Sequence, residues 1–254
     1  MIAEFFRGLR SYGNAHRVII RHRLWRFLVI PGILSIAVVI AIIWFGGVYF
    51  DNWANTLVQY ALPESLRGDA TRAIAMVLLW ILLVLLAFMT YKHITLAFLA
   101  PILGHLSEKT EVLLGHQSAE GFSIARTLQD LGRGITINLR NLLFTLVLTA
   151  IVWPLVFVPV IGAVVSTALI LMIQAYYGGF GLMDCVLERK RFSVKQSVHF
   201  AKLHRGRILG VGSGFMLLLA IPLIGWFLAP AYGTVAATIS ALEKVEKTES
   251  PHKK

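Results

Sequence analysis

Asn141 to Met183 reads NLLFTLVLTAIVWPLVFVPVIGAVVSTALILMIQAYYGGFGLM, a charge-free stretch about twice the length that one membrane-spanning helix needs. Pro154 and Pro159, followed by Gly162, interrupt it near the middle. Proline removes a backbone donor and clashes with the preceding turn, so the stretch is expected to fold back as a helical hairpin. Ile208 to Leu242 repeats the pattern, with Pro222, Gly225 and Pro230 at its bend. Two simpler apolar runs precede them, Phe27 to Phe50 and Ala73 to Tyr91, and each supplies the roughly 20 apolar residues of a spanning helix. The expected fold is an all-α integral membrane protein with two long transmembrane helices, two shorter hairpins and amphipathic interfacial helices.

Composition agrees. Hydrophobic residues make up 57% of the 254 and charged ones only 15%, too little polar surface for a soluble chain of this length. The net charge of +11 could serve nucleic acid, but the basic residues flank the apolar runs, where lipid headgroups or translocated anions are the nearer partners. Cys185 is the sole cysteine, which excludes an intramolecular disulfide and any multi-cysteine metal site. The first long apolar run begins only at Phe27, so no cleaved signal segment is expected.

Six arginines (Arg7, Arg10, Arg17, Arg21, Arg23, Arg26) precede the first run, the loop from Asp51 to Arg72 holds only Arg67 and Arg72, and sixteen of the 24 basic residues follow Tyr91. By the positive-inside rule this places both termini in the cytoplasm. The chain is expected to form one membrane domain: a basic amphipathic helix over 1–26, a transmembrane helix over 27–50, a long transmembrane helix over 73–106, an amphipathic helix over 122–140, hairpins over 141–183 and 208–242 separated by a basic helix over 193–205, and a polar tail over 243–254. Ile2, Phe5, Phe6 and Leu9 mark the apolar face of the first helix. Ile124, Leu128, Leu131, Ile135 and Leu139 mark that of the fourth segment. Ser193 and Gln196 form a capping box that opens the basic helix.

The hairpin arms are short. Asn141 to Trp153 is 13 residues, about 20 Å of helix against a hydrocarbon core of roughly 30 Å. The arms therefore either dip part way and return, with their tips satisfied by neighbouring protein, or cross a thinned bilayer with Trp153 and Trp226 as interface anchors. The partial dip is preferred.

Several strings, in order, carry a family resemblance: Arg26-Phe27 four residues before Pro31, Ala100-Pro101 followed by Leu106-Ser107-Glu108, the tip Phe157-Val158-Pro159-Val160-Ile161-Gly162, Asp184 through Phe192, and Ile221-Pro222-Leu223 leading to Pro230. Together they resemble the CysZ-type sulfate permeases, which share their domain with the etoposide-induced proteins. The resemblance implies two long transmembrane helices, two partly penetrating hairpins, assembly as a homo-oligomer, and an inner-membrane permease or channel for sulfate that feeds cysteine biosynthesis. In that family a Gly-Leu-Arg or Gly-Ile-Arg run before the first long helix is implicated in sulfate binding. Here those positions read Arg23, Leu24, Trp25 and Arg26, so only Leu24 and Arg26 match. The candidate anion-binding residues are Arg26, Leu24, Arg23 and Arg21. An arginine fork beside free N–H groups at a helix start can hold a tetrahedral oxyanion, and Arg21 and Arg23 could replace the lost charge, although Arg23 is not expected to offer the open backbone of glycine. Val186 and Gly225 are further departures, where the family often has Pro and Asn.

Other features weigh less. The eight histidines lack metal-ligand spacing and read as solvated or interfacial side chains, so no metal or cofactor is expected. No Asp or Glu lies inside an apolar run, which argues against a carboxylate proton relay; His93 beside Lys92 leaves a weak alternative. Lys92 reads as snorkelling to the interface ahead of lining a pore. Gly206, Gly210 and Gly214 read as a helix-packing stripe, and Arg189, Lys190 and Arg191 as a positive-inside flank attracting anions only diffusely. No phosphate loop, nucleophile elbow or paired carboxylate is present, so an enzyme is not expected. Two functions remain: an oligomeric permease for sulfate or a related oxyanion, with membrane lipid but no nucleic acid as a further partner, and a non-transporting scaffold that holds lipid or a partner protein through its basic helices.

Overall fold

A computed structural model describes residues 1–61, 69–116, 124–158 and 161–249. Among them are eight α-helices and two short 3-10 helices, with no strand. Helix α1 is Ile2–Arg21, α2 Val29–Ala61, α3 Asp69–Leu113, α4 Ile124–Val152, α5 Gly162–Arg189, α6 Val194–Leu203, α7 Arg205–Leu219 and α8 Ile224–Glu249. The molecule is an all-α integral membrane protein. Stretches of α2, α4, α5 and α8 are each long and apolar enough to cross a bilayer. Ile33, Ile43 and Trp44 of α2 and Ile74, Ile81 and Val84 of α3 all point outward, an arrangement stable in lipid and not in water.

Several elements outrun the apolar segments that announce them. At 1.5 Å per residue, the 33 residues of α2 reach about 50 Å and the 45 of α3 about 67 Å. Helix α4 runs without a break past residue 140, where the sequence suggests a boundary, and its 29 residues reach about 43 Å. The short arms inferred from charge-free length are therefore the apolar parts of longer helices. Helix α7, at 15 residues, remains short. At the first tip a 3-10 helix, Trp153–Phe157, follows α4; Pro159 and Val160 lie outside the described residues, as do Arg67 and the tail 250–254. At the second tip Leu223 takes a left-handed backbone (φ 62°). The Trp226 side chain is partly buried against the core and its backbone carbonyl accepts from Ser35 Oγ at 2.6 Å, tying α8 to α2, while Trp153 is exposed.

Glycine sets the packing of α7. A side chain at Gly206, Gly210 or Gly214 would collide with Met1, Phe5 or Tyr12 of α1, and one at Gly212 would collide with the backbone of Ala175 in α5. Gly8 of α1 and Gly179 of α5 make the reciprocal approaches. The stripe is thus a packing seam, used on both sides of one helix. Helix α1 docks through Gly8, Ser11, Ala15 and Ile19, while Ile2 and Phe6, two of the residues assigned to its apolar face, point away from the fold. Tyr12 OH donates to the Val211 carbonyl at 2.8 Å and clamps the seam. Helix α8 is enclosed, with 72% of its apolar stretch buried against 17% for α2 and 11% for α4. Its inward residues are small, including Ala229, Ala231, Ala236, Ala237 and Ala241.

The α1 dock also carries charge. Arg207, 3% exposed at its side chain, donates through Nε to Glu4 at 3.0 Å and through Nη1 to Glu243 at 2.6 Å, and Lys244 lies 2.7 Å from Glu4. The hydrogen bond from Lys244, assisted by Arg207, lowers the Glu4 carboxyl from its ordinary 4.5 to about 2. A lowered folded value stabilises the fold above pH 4.5, and the contribution disappears as pH falls toward 2. Glu4→Gln should therefore melt below the wild type at neutral pH, and the gap between their melting curves in detergent should close between pH 4.5 and 2. Gly210→Leu should cost about 1–3 kcal/mol by the same measurement because backbone must move. Gly13→Ala, in the same pair of helices but with open space around it, should be neutral or stabilising by up to about 1 kcal/mol.

Candidate functional site

The chain turns sharply between α1 and α2. His22 N–H still donates to Val18 O and Arg23 N–H to Ile20 O, and Arg23 then takes a left-handed backbone with φ 52° before a 3-10 helix, Leu24–Leu28, leads into α2. Arg21 and Arg23 are exposed on this turn, and the side chain of Arg26 lies outside the described residues. Leu24 is fully buried among Ala15, Ile19, Leu28, Leu106 and Val235, so it anchors the turn and only its backbone is available to a ligand. The four candidate residues thus divide into two exposed cations, one buried anchor and Arg26.

Arg23 adopts a conformation that glycine takes without penalty. Holding a non-glycine residue in that region costs about 1–2 kcal/mol. Beside the turn, Lys109 Nζ sits 4.2 Å from the centre of the Phe27 ring, whose other neighbour is His105 at 6.2 Å. Lys109 adds a cation from α3 that sequence reasoning missed. No local signal marks it, since it lies 82 residues along the chain from Phe27.

Several of the other basic residues are paired with carboxylates. Arg133 donates to both carboxylate oxygens of Asp184, at 3.2 and 3.1 Å, and to Ser197 Oγ at 2.9 Å, joining α4, α5 and α6. Arg189 pairs with Glu111 at 2.7 Å and Lys190 with the same carboxylate at 2.6 Å. Burial alone would raise Glu111, but the hydrogen bond from Lys190 and the charge of Arg189 outweigh it and keep its carboxyl below the usual value. The expected diffuse basic field of Arg189 and Lys190 is therefore spent within the fold, stapling α5 to α3.

Lys92 does not snorkel. It is 1% exposed, and its ammonium donates to the backbone carbonyl of Gln174 at 2.7 Å and to the side-chain oxygen of the same residue. His93 is equally buried, with Nε2 3.4 Å from Thr145 Oγ1 of α4. A cleft lined mainly by the apolar side chains of Met1, Ile2, Phe5, Leu171, Met172 and Leu209 holds no charged side chain. Among the described residues, no group of three or more His, Cys, Asp or Glu could hold a metal ion. Cys185, buried inside α5, points its thiol at the carbonyl of Gly181.

With this geometry in place, comparison with known proteins is direct. The family described as Sulfate transporter CysZ/Etoposide-induced protein 2.4 matches residues 11–230. The chain belongs to that family. A relative from Pseudomonas aeruginosa (strain LESB58), named Sulfate transporter CysZ, is 26% identical over 241 residues, covering 94% of this chain and 96% of its own. One from Pseudomonas fluorescens (strain Pf0-1) with the same name is 23% identical over 236 residues, covering 91% of both. The shared length takes in the turn at Arg23, the paired charges of α3 to α6 and both hairpins.

If the left-handed backbone at Arg23 is the constraint described, Arg23→Gly should raise the melting free energy by about 1 kcal/mol, and Arg23→Val, whose branched side chain tolerates that region worst, should lower it by a similar amount. Denaturant or thermal melts of both variants in detergent check this.

Proposed function

We propose that this protein is a permease or channel for sulfate or a closely related oxyanion, set in a bacterial cytoplasmic membrane with both termini inside and supplying sulfur for cysteine biosynthesis. The observation that carries the reading is the turn before α2, which holds Arg21 and Arg23 in the open on a left-handed backbone, in a chain whose relatives are named as sulfate transporters. Access begins there. Arg21, Arg23 and Arg26 supply charge and forked donors, the backbone at Leu24 supplies N–H, and Lys109 adds field from α3.

The subunits work as an oligomer, because the outward faces of α4 and the two tips are apolar and one copy is too thin to enclose a polar path. Phe144, Val147 and Ile151 on α4 and Leu217, Leu223 and Ile224 at the second tip are all exposed. The hairpin tips penetrate part of the bilayer, the 15-residue α7 giving about 22 Å of helix against roughly 30 Å of hydrocarbon. Transport needs no cofactor, and the chain catalyses no covalent chemistry.

Radiolabelled sulfate uptake into liposomes holding the purified protein tests this, with selenate, thiosulfate and chloride as competitors. Saturable uptake should appear, compete with selenate or thiosulfate but not chloride, and fall at least about tenfold in Arg26→Ala, the loss of roughly 1.4 kcal/mol from one charge-assisted contact. Uptake no greater than in empty liposomes, from protein that is folded and oligomeric, would overturn the permease in favour of a lipid- or protein-binding scaffold.

A further inference from the structure

Where α3 meets α4 and α5, the bundle buries a cation without a counter-charge. Among the described residues Lys92 has no carboxylate partner, and its ammonium donates to two oxygens of one residue, Gln174. Around it lie buried polar atoms with no partner: Nε2 of Gln174, Nδ2 of Asn141 and Nδ1 of His93. These side chains are 2%, 0% and 1% exposed. Gln174 Nε2 belongs to the amide whose oxygen touches the ammonium.

The other two reach the same place through the helix register. Asn138 faces Gly181, and Phe144 stacks on Tyr177, so α4 and α5 run antiparallel. That register sets Asn141 level with Gly178, the residue bordering the Lys92 ammonium, and Thr145, the contact of His93, level with Gln174. Gly178 has no side chain, which leaves that wall bare. Asn138 Oδ1, an acceptor, lies a turn further along.

Leaving a buried donor unsatisfied costs about 1–3 kcal/mol, and an uncompensated ammonium costs more. A cation beside the idle amide N–H donors of Gln174 and Asn141, with an imidazole nitrogen of His93 that donates in one tautomer, matches one ligand chemistry, a dehydrated oxyanion that accepts from them. Gln174 now offers its oxygens where such an anion would.

We propose that Lys92, Gln174, Asn141 and His93 form an oxyanion-binding subsite inside the bundle, which an anion enters by displacing the Gln174 side chain from the ammonium. It is distinct from the turn at Arg21 to Arg26: Lys92 lies 14 residues along α3 from Leu106, which shares a buried cluster with Leu24, about 21 Å of helix. The assignment of its ligand to the sulfate class rests on the permease reading.

Two measurements on the purified full-length protein separate the subsite from that reading: the rise in melting temperature with added sodium sulfate, against sodium chloride at equal ionic strength, and sulfate uptake into liposomes. Lys92→Met keeps the length of the side chain and removes its charge; Asn141→Leu keeps the charge and removes a donor. Sulfate should raise the wild-type melting temperature, both variants should need at least about tenfold more sulfate for the same rise, and their uptake should fall by a similar factor. If the wild type transports sulfate and both variants match it in both measurements, the subsite is wrong and the permease stands. If the wild type does not transport but is stabilised by sulfate in a manner lost in both variants, the subsite stands and the permease falls. No stabilisation of the wild type by sulfate overturns the subsite. Should Lys92→Met fail to fold, Asn141→Leu decides alone by the same comparisons.

Discussion

Backbone contact across α7 holds the molecule together. A helix of 15 residues cannot bury much apolar area, and in lipid burial against another helix gains little over contact with acyl chains. Close approach supplies what burial cannot. Glycines on one face admit α1, and Gly212 on another admits α5, so van der Waals contact forms at backbone distance on both sides. The position of α1 follows from that seam, and with it the turn that carries Arg21 and Arg23.

Charge is distributed on a second principle. The end of the bundle that carries α1, α6 and the start of α7 is rich in cations, yet the buried ones are matched: Arg133 with Asp184, Arg189 and Lys190 with Glu111, Arg207 with Glu4 and Glu243. The first two matches tie α3, α4 and α5 where the glycine seam does not reach, and the third reinforces the seam between α1 and α7. The exceptions stand out against this pairing. Lys92 is enclosed with its ammonium held by oxygens of Gln174, and Arg21 and Arg23, like Arg10 and Arg17 before them, face outward. A fold that neutralises its structural cations leaves the remainder as the groups available to an anion.

The fold was legible from the sequence because lipid imposes a strong filter: long apolar runs with proline at their bends permit few arrangements. The glycine stripe at 206, 210 and 214 was read correctly as packing, since its four-residue period places all three on one face. Helix ends were less legible, because α3 and α4 continue through polar residues whose support comes from neighbours, as Asn138 and Asn141 do against α5. The site was legible only in part. Leu24 matched by residue type and lies in the core, while the left-handed backbone of Arg23 had no signal in its residue type. Lys92 misled because snorkelling is a rule for lysines on lipid-facing surfaces, and nothing local says that α5 covers this one. Lys109 and Glu111 gained their roles from partners 80 or so residues away, a distance that periodicity does not span.

The lone thiol is the feature with the widest practical consequence. Cys185 is enclosed in α5 with its sulfur against a carbonyl, so the natural chain already presents a surface silent to water-borne maleimides and spin-label reagents. A reporter cysteine placed at Leu223, Trp153 or Arg23 would be the one reactive position without any background substitution. The depth of each tip and the sidedness of the turn thereby become questions of chemical accessibility in intact membranes.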